Sequence, residues 1–146
     1  MKRSILLIVL VLIIVLGFYG YREYFRTNKD LADVAPEVTV SAPELIKAFE
    51  RDTAAANKSY LGKIVAVSGT VKGVEKEERS ATIILGEPGT MSSVRCSMDT
   101  AHLAETAAVK EGQAVTIKGS CTGFNQDELL GSDVVLNRCV VSNPKQ

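Results

Sequence analysis

The side chains with chemistry to offer are few: one histidine, His102, three cysteines, Cys96, Cys121 and Cys139, and hydroxyls near a carboxylate, Ser68, Thr70 and Asp99. Proton transfer or zinc binding needs His102 to have titratable or ligating company, and its own stretch supplies none at metal-ligand spacing. His102 is therefore expected to be solvated or locally bonded. The cysteines lie too far apart for paired Cys-x-x-Cys zinc ligation. Ser68, Thr70 and Asp99 could supply a nucleophile and an acid, yet no partner histidine or oxyanion motif accompanies them. The expectation is a non-enzyme with no catalytic residue, cofactor or metal.

Binding chemistry is constrained by charge. Removing Lys2, Arg3, Arg22, Arg26, Lys29 and Glu23 from a chain of zero net charge leaves twelve basic and sixteen acidic residues from Asp30 onward. A nucleic-acid binder normally displaces counterions with a basic surface. This part of the chain is acidic.

Ile5 to Tyr21 is an uninterrupted apolar run following Lys2 and Arg3. Its length reaches the lower end of the roughly 17 to 25 residues that span a bilayer. It exceeds a signal-peptide core of about 7 to 15, and no small-x-small cleavage site follows. Tyr19, Tyr21, Tyr24 and Phe25 make an aromatic belt at its far boundary. Residues 1–26 are expected to be an uncleaved, single-pass anchor in the inner membrane. Lys2 and Arg3 favour an inside N-terminus and an extracytoplasmic domain, against competition from Arg22, Arg26 and Lys29. Cys96 is the first cysteine, which excludes lipid attachment at this segment. Residues 27–40, polar and interrupted by Pro36, are expected to be a linker.

The domain is expected over residues 41–146. Ser41 and Glu44 have capping-box spacing around Pro43, which predicts a helix to about Asn57 with Leu45, Phe49 and Ala56 on its buried face. Tyr60 could stack a ligand but suits packing beside a strand. Lys63 to Val74 alternates with period two around Gly69 and reads as a long, bent first strand. Glu75 to Arg79 is a charged turn, and Ala81 to Leu85 and Ser92 to Met98 are strands two and three. Asp99 or Thr100 caps a short helix to about Val109. Ala114 to Cys121 and Asp133 to Val141 are strands four and five, joined by a loop from Thr122 to Ser132.

Three meandering strands, a helix and a hairpin follow the element order of an OB-fold. The expected fold is mainly β: a five-stranded Greek-key barrel with one helix before it and one between strands three and four, preceded by a transmembrane helix. Closure removes exposed edges that so short a chain could not otherwise cover. The cysteines then fit either one disulfide in an oxidising compartment or three small buried side chains. Strands three and five run parallel in this topology, which favours Cys96 with Cys139 and puts Cys121 nearer the opposite end.

The segments AAANKSYLGKIVAVSGTV, VRCSM, VKEGQAVTIKGSCTGF and VVLNRCVV resemble the tRNA-anticodon-binding-like OB-fold family of small anchored or exported bacterial proteins. The likeness covers Ser41 to Val141 and rests on scattered positions: Asn57, Tyr60, Gly62, Lys63, Gly69, Cys96, Gly112, Gly119, Cys121 and Cys139. It implies the fold and supplies no catalytic residue. The family name refers to structural likeness and does not imply tRNA binding.

OB modules that hold single strands use aromatic platforms on strands two and three and the neighbouring loops. Those strands lack Phe, Tyr and Trp here, and the first loop is acidic. The expected function is a membrane-tethered, extracytoplasmic binding module for a protein, peptide or glycan, with a single-stranded nucleic-acid or tRNA-binding domain as the alternative. Phe124, Asn125, Leu129 and Leu130 are its candidate contacts, although the two leucines could instead fold back over the core.

Overall fold

Strong local signals set where the elements begin and end. In this computed structural model, residues 11–21, 30–127, 129 and 131–142 are described. Ser41 caps α1, Ala42–Arg51, through a capping box: its hydroxyl accepts from the Glu44 N–H, and the Glu44 carboxylate accepts from the Ser41 N–H. Pro43 sits in the first turn, where its missing N–H leaves no bond unmade. Asp52 then leaves helical geometry, ends α1 with its own N–H on Ala48, and caps α2, Thr53–Tyr60, by accepting from the Ala55 N–H. The single helix expected to Asn57 is thus two helices, because one aspartate satisfies orphan groups on both sides of itself.

Six strands follow and precede these helices: β1 Val38–Ser41, β2 Ile64–Lys76, β3 Ala81–Leu85, β4 Ser93–Met98, β5 Ala114–Asp127 and β6 Gly131–Val141. The expected count was five. The additional strand, β1, lies inside the stretch read as linker and pairs in parallel with the first part of β2. Only four residues long and shaped by a distant partner, it carries little sequence signal of its own. A 3-10 turn at Leu31–Asp33 precedes it, with Leu31 buried.

The order β1-β2-β3-β4-β6-β5 is completed by a second pairing of β2 with β5. Pairing therefore runs in a cycle through β2, β3, β4, β6 and β5, an OB-like arrangement. The bend in β2 is placed differently from expectation. Its irregularity lies between Val71 and Gly73, whereas Gly69 is needed because a Cβ there would stand 2.9 Å from Ala42 Cβ. Close approach of α1 explains Gly69, and the bulge itself falls beside Lys72.

Two inward rows build the core. Val74, Ile83, Cys96, Leu136 and Cys121 are successive ladder partners, as are Val71, Leu85, Val94, Val134 and Phe124. From α1, Ala42, Leu45, Ile46 and Phe49 join the same cluster. The segment between β4 and β5 is a 3-10 helix, Thr100–Ala108, capped by Asp99; it buries Thr106, with Val109 beyond it. It covers less core than α1, which buries Ala42, Leu45, Ile46 and Phe49.

The N-terminal residues form a separate unit, Met1–Asp30. Residues 11–21 are helical and every one is exposed. No helix among the described residues is long and apolar enough to cross a membrane. The first part of the apolar run, and Tyr24 and Phe25, lie outside the described residues.

Candidate functional site

The face that OB modules use for ligands is built here from an outward row, Gly73, Ile84, Arg95, Val135 and Gly123, running across β2, β3, β4, β6 and β5. Thr82 and Ser97 continue it on β3 and β4. Arg95 is the one cation in that row, and its guanidinium lies 2.7 Å from the Glu75 carboxylate. The face offers hydroxyls and aliphatic groups with a neutralised charge.

Aromatic side chains are all elsewhere. From residue 31 onward the chain has three rings, Phe49, Tyr60 and Phe124. Phe124 stacks on Phe49 with centroids 5.0 Å apart, and Phe49 meets Tyr60 at 5.9 Å. Every ring of the domain thus belongs to one cluster joining β5 to both α-helices, with Phe49 buried and Tyr60 and Phe124 half-buried.

That stack revises the candidate contact loop. Phe124 belongs to β5, opposite Val134, and its row faces the core. The expected loop from Thr122 to Ser132 is largely ladder, because β5 continues to Asp127 and β6 begins at Gly131. Asn125 is exposed and pairs with Asp133. Leu129, at the turn, is 81% exposed. Leu130 lies outside the described residues.

Cys96, Cys121 and Cys139 are free, buried thiols. Cys96 and Cys139, the pair expected to be bridged, are free thiols, and the neighbouring Cys96 thiol, followed by burial, pushes the Cys139 thiol well up. Burial also raises Cys121. Cys121 is not at the opposite end: it shares a ladder row with Cys96, separated by Leu136, because β5 is longer than the sequence indicated. His102 is bonded locally, its Nδ1 2.7 Å from Glu105, whose other oxygen accepts from the Val141 N–H. Asp99 caps the 3-10 helix and pairs with Arg138, so it is placed as a structural group. Among the described residues no group of three or more His, Cys, Asp and Glu could hold a metal.

Surface cavities open beside the helices. One, about 920 Å³, lies between α1 and α2 over Ala48, Ala55 and Tyr60, with charges of both signs around it. A second, about 490 Å³, includes the hydroxyls of Ser41, Ser68, Thr70 and Thr116. A third, about 130 Å³, includes Ile46, Glu50, Thr90 and Ser92. Pro43 and Glu87 line both of the latter, so the two adjoin along the start of α1. Their glycine-rich wall and the notch beside α1 had no sequence signature, since the lining comes from five separated segments.

The chain matches the tRNA_anti-like family over residues 1–140. It belongs to that family. Among solved structures it is similar to a lipoprotein of Klebsiella pneumoniae subsp. pneumoniae provisionally named nucleic acid-binding, with 19% identity and a TM-score of 0.57, covering 71% of this chain and 91% of that one. It is also similar to asparaginyl-tRNA synthetase from Pyrococcus horikoshii, with 12% identity and a TM-score of 0.41, covering 57% of this chain and 20% of the synthetase. A third likeness is the OBody NL8 bound to hen egg-white lysozyme, at 16% identity and a TM-score of 0.40, covering 57% and 99% respectively. At these identities the likeness is one of fold. No protein with a curated description matches the sequence.

Proposed function

We propose that this tRNA_anti-like chain is a non-catalytic binding module, a closed OB barrel held at a membrane by its N-terminal helix and displayed outside the cytoplasm. The observation that carries the binding specificity is the clustering of Phe124, Phe49 and Tyr60. Single-strand binding draws on exposed rings for base stacking and on cations for phosphate. Here the rings serve the core and Arg95 is neutralised by Glu75. A protein or peptide partner, meeting hydroxyls, aliphatic groups and carboxylates, suits this surface better than a polyanion.

Tethering is supported by the exposed apolar helix over residues 11–21, where Val11, Leu12, Ile13 and Ile14 are each more than half exposed. Such a surface is unfavourable in water at roughly 25 cal/mol per Å² and calls for lipid or another apolar cover. The Klebsiella lipoprotein is consistent with life at a membrane, although attachment here would be through the helix.

The decisive measurement is fluorescence anisotropy of a labelled single-stranded oligonucleotide against the full chain in detergent. No saturable binding is expected at low salt. Saturable binding that falls steeply, by about 10³ or more between 50 and 200 mM salt, would require several phosphate contacts and would return the nucleic-acid reading to first place.

A further inference from the structure

The groove formed by the two adjoining cavities has a consistent chemistry along its length. One end is a hydroxyl wall of Ser68, Thr70 and Thr116 on β2 and β5, beside Ser41, whose own hydroxyl is held by Glu44. Such groups can donate to carbonyls and accept from amides, which suits a polypeptide backbone. The other end is a notch with Pro43 and Ile46 as its apolar side and room for one branched aliphatic side chain.

Charge narrows the occupant. Glu87 lines both cavities and is exposed; its backbone carbonyl accepts from Thr90, while its carboxylate makes no hydrogen bond or ion pair among the described residues. Glu50 stands at the notch, accepting from the Ser92 hydroxyl at 3.0 Å. Lys47 is the single cation lining it. Lys72 does not contribute its charge outward, because its ammonium is turned beneath the β3–β4 loop onto the carbonyls of Thr90 and Ser92. The cavity between α1 and α2 is lined by three carboxylates, Glu44, Glu50 and Asp52, and by two cations, Lys47 and Arg51.

Two exposed apolar side chains, Met91 and Leu129, lie on the neighbouring loops. Met91, between Thr90 and Ser92, is 70% exposed. A Cβ on Gly131 would come within 2.7 Å of the Met91 backbone, so the β5–β6 turn carrying Leu129 is packed against this loop. The Ser132 N–H on the Ser92 hydroxyl fixes the same junction.

We propose that the groove binds an extended segment of a partner protein, with an aliphatic side chain in the notch and an adjacent lysine or arginine on Glu87 and Glu50. The proposal deepens the binding-module reading and rests on it. A glycan is disfavoured because no ring lines this groove to stack a sugar, and a phosphate chain is disfavoured by the two carboxylates.

The test uses the full-length chain in detergent micelles and backbone amide NMR shifts, with the peptide acetyl-Ser-Leu-Lys-Ser-amide as probe. Shifts are expected at Ile46, Glu87, Thr90 and Ser92, at millimolar peptide. The charge-reversed acetyl-Ser-Leu-Glu-Ser-amide is expected to bind about three- to fivefold more weakly, the scale of an exposed ion pair. Glu87→Gln, a surface change, should narrow that difference. Equal binding of both peptides overturns the proposal, as does the absence of any groove shift. Shifts confined to Thr82, Ile84 and Arg95 also overturn it while leaving the binding-module reading standing; that reading fails separately, on salt-sensitive oligonucleotide binding.

Discussion

At the scale of single residues, position matters more here than chemical identity. Ser41 belongs at once to the end of β1, the cap of α1 and the rim of the groove. The Ser41 hydroxyl, and after it the Ser41 N–H, hold the Glu44 carboxyl below its ordinary value. A carboxylate with a depressed folded pKa contributes stability that is present above its unfolded value and is lost as pH falls through the folded one. Ser41→Ala is therefore expected to cost about 1 kcal/mol in urea denaturation at neutral pH. The gap between wild type and Glu44→Gln should close in acid. A gap that persists well below the carboxylate range would show that the capping box is not its source. Gly119 is another positional residue: a Cβ there would meet the Cys139 sulfur, so the thiols act as packing groups fitted to a bare backbone.

At the scale of elements, the consequential feature is the strap from Leu31 to Ser41. Lys118 is only 6% exposed, and its ammonium donates to the carbonyls of Ala32 and Val34 at 3.0 and 2.7 Å. These are carbonyls that the short 3-10 turn leaves without helical partners, where a cation is favoured. The Glu37 N–H on the Ile64 carbonyl and the β1 ladder complete the attachment. Lys118→Met keeps the buried stem and removes both bonds. It is expected to destabilise the domain by about 1–3 kcal/mol, and limited proteolysis should then cut within residues 31–37 before the sheet unfolds. Unchanged cleavage would mean that β1 alone holds the strap. The long β5–β6 hairpin is the complementary case: it turns a stretch with the composition of a loop into ladder, and thereby moves Phe124 from a surface site to the core.

At the scale of the whole molecule, the two units divide the work proposed for the protein: an apolar helix for attachment and an acidic domain for recognition. With Lys2 and Arg3 retained inside, protease added outside intact spheroplasts is expected to digest the domain while leaving the N-terminus protected. Digestion only after lysis would place the domain on the inner side and assign control to Arg22, Arg26 and Lys29.

The sequence by itself determined most of the local structure. A nearly continuous β-branched run marked Ala81–Leu85 to the residue, period-two patterning marked the start of Ala114 onward, the capping box marked α1, and the shortage of rings and cations argued against a polyanion ligand. These signals are legible because they depend on neighbours a few positions apart. Only the tertiary structure decided the rest. β1 exists through pairing with residues 27 positions away, and Gly69 is required by a helix that crosses it. Phe124 packs on the core through Phe49, Cys121 joins the row of Cys96 through Leu136, and the groove at Glu87 appears when separated segments meet. Such features depend on which surfaces are brought into contact, and one-dimensional periodicity records which face of an element is apolar without recording what will cover it.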